Sequence, residues 1–204
     1  MQNKKSDGQM SRTLRALMIL ALVAGCGGGG DRSVPRNLDD ACSIVKQKPK
    51  YHKAFKRTER RWGVPVSVQM ATIYHESKFV GDARTPLQYV LGVIPMGRQS
   101  SAFGYGQALD ATWKEYKQET GNRRAQRDDI DDAADFIGWY MTGTKERTGV
   151  SLRDAKNQYL AYHEGRSGYM RGSYNAKPWL IAYAGRVAAL EATYKEQLRR
   201  CRVR

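Results

Sequence analysis

The amino-acid sequence predicts a mainly α-helical domain that is interrupted by one long irregular or small β insertion. Apolar residues recur at helical spacing in most segments after residue 37, and the alternation typical of strands is nearly absent. Glycine, proline and serine accumulate between residues 80 and 104, where the helical pattern disappears. The chain has 204 residues, enough for one domain with a sizeable hydrophobic core. Its 12 tyrosines and four tryptophans argue against intrinsic disorder.

The first 25 residues have the organisation of a secretion signal. Arg12 and Arg15 form a positive region, and an apolar stretch follows at residues 16–24. The letters LVAGC, which end at Cys26, resemble the lipobox of bacterial lipoproteins. This resemblance implies cleavage before Cys26 and lipidation of that residue. The alternative is an ordinary signal peptide with an incidental cysteine.

Residues 26–36 are predicted to be a lipidated cysteine followed by a glycine-rich tether. Four consecutive glycines follow Cys26, and such runs form flexible linkers. Because Gly27 rather than an aspartate follows Cys26, the resemblance to Gram-negative lipoproteins implies sorting to the outer membrane, with the domain on its periplasmic face. Met10 is an alternative start that would leave a shorter signal.

The expected mature chain is strongly basic. Removal of residues 1–25 takes away four of the 35 basic and one of the 20 acidic side chains, which leaves a net charge of +12. A basic domain of this size prefers polyanionic partners. Behind a secretion signal, the available polyanions are peptidoglycan and lipid headgroups, and no nucleic acid is expected. The alternative is a generic basic surface.

Besides Cys26, the expected mature chain has two cysteines, Cys42 and Cys201. The oxidising environment of a secreted chain allows them to pair, and we predict a disulfide between them. The sequence has no Cys-x-x-Cys motif and no cluster among its three histidines. We therefore predict neither a metal site nor a cofactor.

The first two helices are predicted from short apolar repeats and from their end signals. Apolar side chains at helical spacing mark residues 37–48, and Pro49 is expected to end that helix. Residues 51–62 form a second and very basic helix, and Gly63 ends it.

The third helix carries the first candidate catalytic residue. It begins at Pro65, and Val66, Met70 and Ile73 form one apolar face. Glu76 lies near the edge of that face at the helix end, so its carboxyl group is expected to be partly desolvated. Desolvation raises the pKa of a carboxyl group, as a general acid near neutral pH requires. The alternative is a surface glutamate in the last turn.

The long insertion runs from Val80 to Ala102 and interrupts the helical order. Within it, the apolar stretch Tyr89–Ile94 is predicted to be a strand or one arm of a hairpin. Long loops in compact domains tend to be functional. A lid, a wall of a groove and a partner-docking loop are all compatible with this composition.

Two helices follow the insertion, over residues 110–116 and 128–141. The second starts with three acidic side chains that we interpret as caps and as partners of the helix dipole: Asp128, Asp131 and Asp132. Gly143 is expected to lie just past its end.

The last two helices are predicted over residues 151–163 and 178–200. Ser151 and Asp154 are interpreted as a capping pair for the first, and Gly165 as a residue that ends it. Pro178 is well placed in the first turn of the last helix.

Three short segments, read together, resemble the motifs of the SLT-type lytic transglycosylases, family 1 of the lysozyme-like superfamily. The segments are IYHESKF at residues 73–79, FGYGQA at 103–108 and YLAYHEG at 159–165. The family's motifs are Glu-Ser at a helix end, Gly-Leu-Met-Gln opening the next helix and Ala-Tyr-Asn ending a later one. The resemblance implies a lysozyme-like helical domain over residues 37–204, with the insertion beside the active-site groove. It also implies peptidoglycan glycan strands as the substrate.

The resemblance implies that Glu76 is the single catalytic carboxyl group. It would protonate the oxygen of the MurNAc-(1,4)-GlcNAc bond and then accept the proton of the MurNAc 6-hydroxyl group. That hydroxyl group attacks C1 and leaves a 1,6-anhydro end, so water is not consumed. This differs from glycoside hydrolysis by two carboxyl groups.

The resemblance also assigns supporting roles. Ser77 would hydrogen-bond near the cleavage point, and Gly104 would let the chain approach the saccharide. Gln107 would orient Glu76 or a sugar amide. Tyr162 would donate its hydroxyl hydrogen to Glu76 and hold its rotamer.

The second and third motifs depart from the family pattern. Tyr105 and Gly106 replace the middle of the second motif, and His163 and Glu164 follow Tyr162 where asparagine is usual. Tyr105 and His163 are predicted to bind substrate or to orient Glu76. Aromatic side chains such as Tyr105 stack on sugar faces, and the alternative for Tyr105 is a place in the core.

Two alternatives to a lytic transglycosylase stay open. A second carboxylate, with Glu164, Asp82 and Asp110 as candidates, would make the protein a muramidase-type hydrolase. A non-catalytic lipoprotein that binds murein as a scaffold would keep the groove without turnover.

Overall fold

The computed structural model describes residues 33–91 and 93–201 of the chain. The predicted signal peptide, the lipidation site at Cys26 and most of the predicted tether lie outside these residues. The described part is mainly helical and has one small antiparallel sheet, as the sequence predicts. Its helices are α1 (Ala41–Gln47), α2 (Pro49–Trp62), α3 (Val66–Ser77), α4 (Asp110–Thr120), α5 (Ile130–Thr148), α6 (Ala155–Glu164), α7 (Arg166–Met170) and α8 (Pro178–Arg200), with a short 3₁₀ helix at Ser173–Ala176.

Helix α3 lies at the centre of the domain. Its residues from Val66 to Ile73 are all buried, so its sides as well as one face contact other elements. It packs mainly against α8, while α2 packs mainly against α5. Only the last turn of α3, which carries Glu76, reaches the surface.

The insertion contains a β-hairpin, which is one of the two structures predicted for its apolar stretch. Strand β1 (Leu87–Val90) pairs with strand β2 (Ile94–Arg98) in antiparallel register, from Leu87 opposite Arg98 to Val90 opposite Ile94. The predicted apolar stretch thus spans the end of β1, the turn and the start of β2.

Several predicted helix bounds differ from the observed ones. Pro49 follows the end of the first helix as predicted, but it also opens α2, two residues before the predicted start, because a missing N–H is tolerated in a first turn. Helix α1 begins at Ala41 rather than at residue 37, and α4 continues past residue 116 to Thr120.

Helix α5 continues through Gly143 and ends at Gly149, which has a φ of 76°. A Cβ atom at Gly143 would lie 2.7 Å from the guanidinium Nη2 of Arg166, so close packing explains the internal glycine.

A further difference concerns α6, which begins at Ala155 rather than near Ser151. Asp154 caps it by accepting a hydrogen bond from the Asn157 N–H at 3.0 Å. The Ser151 hydroxyl oxygen accepts instead from the Arg153 N–H, within the preceding turn. Gly165, with a φ of 74°, ends α6 as predicted.

The predicted disulfide between Cys42 and Cys201 is present. Cys42 in α1 is bonded to Cys201, which directly follows α8, and their Cα atoms are 5.6 Å apart. The bond therefore joins the two ends of the described domain. Within that domain, no helix combines the length and hydrophobicity needed to cross a bilayer.

Candidate active site

Glu76 occupies the last turn of α3, just before the chain reverses direction. Lys78 and Phe79 follow it with φ angles of 53° and 60°, a left-handed conformation that non-glycine residues rarely adopt. Phe79 is buried and stacks on Tyr51, and this contact holds the turn that follows α3. Two consecutive residues of this kind represent stored backbone strain, and such strain is concentrated at functional sites.

Tyrosine side chains from α6 and α8 surround the Glu76 carboxyl group. The Tyr159 hydroxyl group is hydrogen-bonded to it. Burial raises the pKa values of Tyr162 and Tyr183, and the negative charge of the nearby Glu76 raises them further. Burial raises the pKa of Glu76 to about 7, and the hydrogen bond with Tyr159 opposes this shift. A carboxyl group with this pKa is present in both protonation states at neutral pH.

A cleft of about 220 Å³ shares Tyr162 with the surroundings of this carboxyl group, although Glu76 itself does not line it. Tyr162 connects the two, because it lines the cleft and also lies within the electrostatic influence of Glu76. The second and third sequence motifs both contribute to the cleft wall, with Gln107 from one and His163 and Glu164 from the other. The structure therefore brings the three motifs together around one site.

Tyr162 does not make the predicted hydrogen bond to Glu76. The Tyr162 hydroxyl group donates to the backbone carbonyl of Gly106 at 2.5 Å, which ties α6 to the second motif. Tyr159, one helical turn earlier, takes the position at Glu76. Its place three residues before Tyr162, on the same face of a helix, is the sequence signal that could have identified it.

Tyr183 is a second site residue that the motifs do not reveal. It belongs to α8, and its hydroxyl group donates to the backbone carbonyl of His75 at 3.1 Å. Its ring also packs edge-on against the His75 ring. Burial, together with the nearby cations, lowers the pKa of His75 to about 4, so this imidazole is neutral at physiological pH.

Gln107 holds the second motif in place through its side-chain amide. Its Nε2 donates to the carbonyl oxygens of Ala83 at 2.9 Å and Gly104 at 2.8 Å. Gln107 also has a φ of 48°, so this short turn adopts an uncommon conformation. The amide group thus joins the start of the insertion to the cleft wall.

Gly104 and Tyr105 pack against other segments of this chain, and their contact with a saccharide stays a prediction. A Cβ atom at Gly104, whose φ is 82°, would lie 2.1 Å from the carbonyl oxygen of Arg127. Tyr105 is buried, and its hydroxyl oxygen lies 2.9 Å from that of Tyr51. The close approach that requires glycine is therefore between two segments of this chain.

Ser77 makes its hydrogen bond within α3. Its side chain is buried, and its hydroxyl group donates to the backbone carbonyl of Ile73 at 3.3 Å, within α3. Serine side chains commonly make this bond to the carbonyl one turn earlier in a helix.

His163 and Glu164 form the far wall of the cleft. The Glu164 carboxylate accepts hydrogen bonds from Lys177 Nζ at 2.7 Å and from the Ser173 hydroxyl at 2.5 Å, and these hold its pKa at about 2. His163 is exposed and contacts both Glu164 and the ring of Trp179. Glu164 is therefore a charged structural partner at neutral pH.

The other two candidate second carboxylates lie on the surface. Asp110 is exposed and pairs with Arg127 at 2.8 Å, and Asp82 is exposed next to the hairpin. Among the described residues, no group of histidine, cysteine and acidic side chains could hold a metal ion.

Comparison with known proteins identifies the family. The family model described as the transglycosylase SLT domain matches residues 14–201, which is most of the chain. No curated protein sequence matches this chain. The match covers all three motifs and the whole helical domain that carries Glu76. The chain therefore belongs to the transglycosylase SLT domain family.

Proposed function

We propose that this protein is a lipid-anchored lytic transglycosylase that cleaves the MurNAc-(1,4)-GlcNAc bond of peptidoglycan without water and leaves 1,6-anhydroMurNAc ends. Membership of the SLT family indicates lytic transglycosylase activity on peptidoglycan. The observation that carries the finer proposal is the Glu76 carboxyl group, with a pKa of about 7, which shares Tyr162 with a cleft built from the second and third motifs.

The first step needs a proton donor. Protonated Glu76 transfers its proton to the glycosidic oxygen as the bond between this oxygen and C1 of MurNAc breaks. The leaving GlcNAc thereby gains a neutral hydroxyl group, and the positive charge that develops at C1 is stabilised by the 2-N-acetyl group of the substrate. A pKa near the working pH provides a large protonated fraction and still allows release of the proton.

The second step needs a base at the same position. The Glu76 carboxylate takes the proton of the MurNAc 6-hydroxyl group while that oxygen bonds to C1. Glu76 is then protonated again, so the cycle closes without a net proton or a water molecule. The hydrogen bond from Tyr159 supports this proposal, because it stabilises the carboxylate form that exists between the two steps.

A hydrolytic mechanism receives less support from the other acidic side chains. A second catalytic carboxylate would have to act as nucleophile or as base for a water molecule. Glu164 is held by Lys177 and Ser173, and Asp110 is held by Arg127. These carboxylates already have partners that compete with such a role.

We also propose that cleavage before Cys26 and lipidation of that cysteine attach the domain to the periplasmic face of the outer membrane. The support is the sequence LVAGC with Gly27 after the cysteine. An anchored enzyme of this kind meets peptidoglycan across the short distance that a glycine-rich tether allows.

The test is mass spectrometry of the soluble products from purified peptidoglycan incubated with the mature chain. Muropeptides that end in 1,6-anhydroMurNAc are the expected product. Glu76→Gln should form none, because an amide cannot donate or accept the proton. Glu196→Gln, which changes an exposed glutamate on α8, is the matched control and should retain the parent activity.

Other outcomes would contradict the proposal. Reducing MurNAc ends would identify a hydrolase, and the second carboxylate would then have to be found. Binding to the cell wall by both the parent and Glu76→Gln, without products from either, would identify a murein-binding scaffold.

A further inference from the structure

The β-hairpin has a surface unlike the rest of the domain. Eleven large hydrophobic side chains are exposed within the described residues, and seven of these lie in the hairpin: Leu87, Tyr89, Val90, Leu91, Val93, Ile94 and Met96. At the tip, Leu91 is 86% exposed and Val93 is 76% exposed. A contiguous apolar patch of this kind on a secreted domain usually marks an interaction site.

Apolar side chains cover both faces of the hairpin as well as its tip. Tyr89 and Val90 are neighbours in β1, so they point to opposite faces, and both are largely exposed. Ile94 pairs with Val90 and extends the second of these faces. A protein partner would cover one face of such a ribbon, whereas the hydrocarbon of a bilayer can surround both.

The hairpin has an uncharged centre and basic flanks, a distribution that suits contact with the apolar core and anionic headgroups of a membrane. The 13 residues from Thr85 to Gly97 carry no charge, although 27% of the chain is charged. Arginines flank this stretch on both sides, Arg84 before it and Arg98 at the end of β2, and both are exposed. Basic side chains at the border of an apolar segment suit the phosphate groups of lipids.

The hairpin and the N-terminal end of the domain lie at the same end of α2. Ser33, the first described residue, accepts a hydrogen bond from Lys48 Nζ at 2.8 Å, directly before α2. Tyr51, in the first turn of α2, contacts Phe79 and Tyr105, on the segments that precede and follow the hairpin. Ser33 thus lies at the end of α2 that the segments flanking the hairpin also contact.

This arrangement would keep the hairpin close to the membrane to which the proposed lipid anchor at Cys26 attaches the chain. Six residues lie between Cys26 and Ser33, and the seven Cα-to-Cα steps allow a separation of at most about 25 Å. From Leu87 to Leu91 the hairpin extends about 13 Å, enough for its tip to pass the headgroups and reach the acyl chains.

We propose that the tip of the β-hairpin inserts into the lipid bilayer and forms a second membrane contact beside the lipid anchor. The contact orients the domain, and the arginines at the base of the hairpin bind anionic headgroups. This inference rests in part on the proposed lipidation of Cys26, since the anchor brings the hairpin to the membrane.

The test measures membrane binding without the anchor. The mature chain with Cys26→Ser is mixed with vesicles of phosphatidylcholine and phosphatidylglycerol, and the bound fraction is measured by sedimentation. The unacylated protein should bind, and Leu91→Asp with Val93→Asp should lower the affinity by about tenfold or more. Met170→Asp, which changes an exposed apolar residue in α7, is the matched control and should bind like the parent.

A second measurement locates the tip directly. An environment-sensitive dye on Leu91→Cys should shift its emission to shorter wavelength when vesicles are added, while the same dye on Gln118→Cys, an exposed position on α4, should not. Equal binding by the Asp variant and the parent, or an unshifted dye at residue 91, would overturn the proposal.

Two further results would also overturn it by assigning the hairpin to another partner. One is a dimer of the parent that the Asp variant abolishes. The other is a loss of binding to purified cell wall with vesicle binding unchanged. Vesicle binding by Glu76→Gln should equal that of the parent, so a failure of the proposed catalysis remains distinguishable from a failure of membrane insertion.

Discussion

The hydroxyl group of Tyr159 is hydrogen-bonded to the carboxyl group of Glu76, and this bond joins helix α6 to the end of helix α3. It stabilises the charged form of a carboxyl group whose pKa burial raises to about 7. The balance between burial and this single hydrogen bond therefore sets the pH range in which Glu76 can act as both acid and base.

Tyr159→Phe should move the pH dependence of glycan cleavage. Loss of the hydrogen bond removes an influence that lowers the pKa of Glu76, so this pKa rises further. The activity that requires protonated Glu76 should then persist to higher pH, while the maximum rate falls by up to about tenfold because the carboxyl group loses its positioning bond. A pH–rate profile with purified peptidoglycan checks both effects.

Tyr174→Phe is the control for this change. Its ring stacks on Tyr169, away from the Glu76 carboxyl group. Its profile should match the parent, and an unshifted profile for Tyr159→Phe would contradict the assigned hydrogen bond.

Glu76→Gln should stabilise the fold at alkaline pH. The folded pKa of Glu76, about 7, exceeds the unfolded value of 4.5, so the folded state binds more protons between these values. The free energy of unfolding therefore falls as the pH rises from 4.5 through 7, by about 3 kcal/mol at most. The variant lacks this penalty, so at pH 8 its free energy of unfolding should exceed that of the parent by up to that amount.

Urea unfolding at two pH values tests this prediction. The stability difference between Glu76→Gln and the parent should nearly vanish at pH 4, where the parent carboxyl group is protonated in both states. A difference that is independent of pH would show that packing, rather than the charge of residue 76, causes it.

Glu164→Gln should cost stability without changing the chemistry. The pKa of Glu164 is lowered to about 2, chiefly by the hydrogen bonds from Lys177 and Ser173, so its contribution is present above pH 4.5 and is lost as the pH falls toward 2. Because Lys177 is partly exposed, we expect a loss of only about 1 kcal/mol at pH 7.

The products of Glu164→Gln separate the two mechanisms. The variant should still release 1,6-anhydro ends, since Glu76 acts alone in the proposed reaction. Loss of all products from a folded Glu164→Gln protein would instead favour a mechanism with two carboxyl groups.

Gly138→Ala should destabilise the contact between α2 and α5. A Cβ atom at Gly138 would lie 2.4 Å from Trp62 Cδ1 and 2.7 Å from Thr58 Cγ2, so the helices would have to separate. The strain should outweigh the better helix propensity of alanine and lower the stability by about 1 to 2 kcal/mol.

Gly185→Ala in α8 provides the matched comparison. A Cβ atom there meets nothing within 4 Å, so the helix propensity of alanine should stabilise the protein by up to about 1 kcal/mol. Thermal unfolding of the two variants should therefore move in opposite directions. Equal shifts would contradict the close contact at Gly138.

The helix ends illustrate how far local patterns reach. Pro178–Arg200 forms one helix as predicted, because its apolar spacing and its first-turn proline are local features. Gly143 was expected to end a helix on equally local grounds, yet it lies inside α5 beside Arg166. A residue 23 positions later explains that glycine, and no short sequence window contains both.

The candidate active site likewise combines features that the sequence predicts with features that only helix packing decides. The helical position of Glu76 predicts its partial burial, and the three motifs predict which segments meet there. The choice of Tyr159 rather than Tyr162 as its hydrogen-bond partner depends on the rotation of α6 against α3. Tyr183 reaches the site only because α8 packs against α3.

By itself, the sequence determined a mainly helical domain, the helix end that carries Glu76, and the pair of cysteines that form the disulfide. Periodicity, capping residues and proline act over a few residues, so a linear pattern is enough to predict them. Only the tertiary structure decided which tyrosine holds Glu76, why Gly104 must be glycine, and that the hairpin exposes apolar side chains on both faces. Those properties depend on atoms that are distant in sequence and become neighbours only when the helices pack.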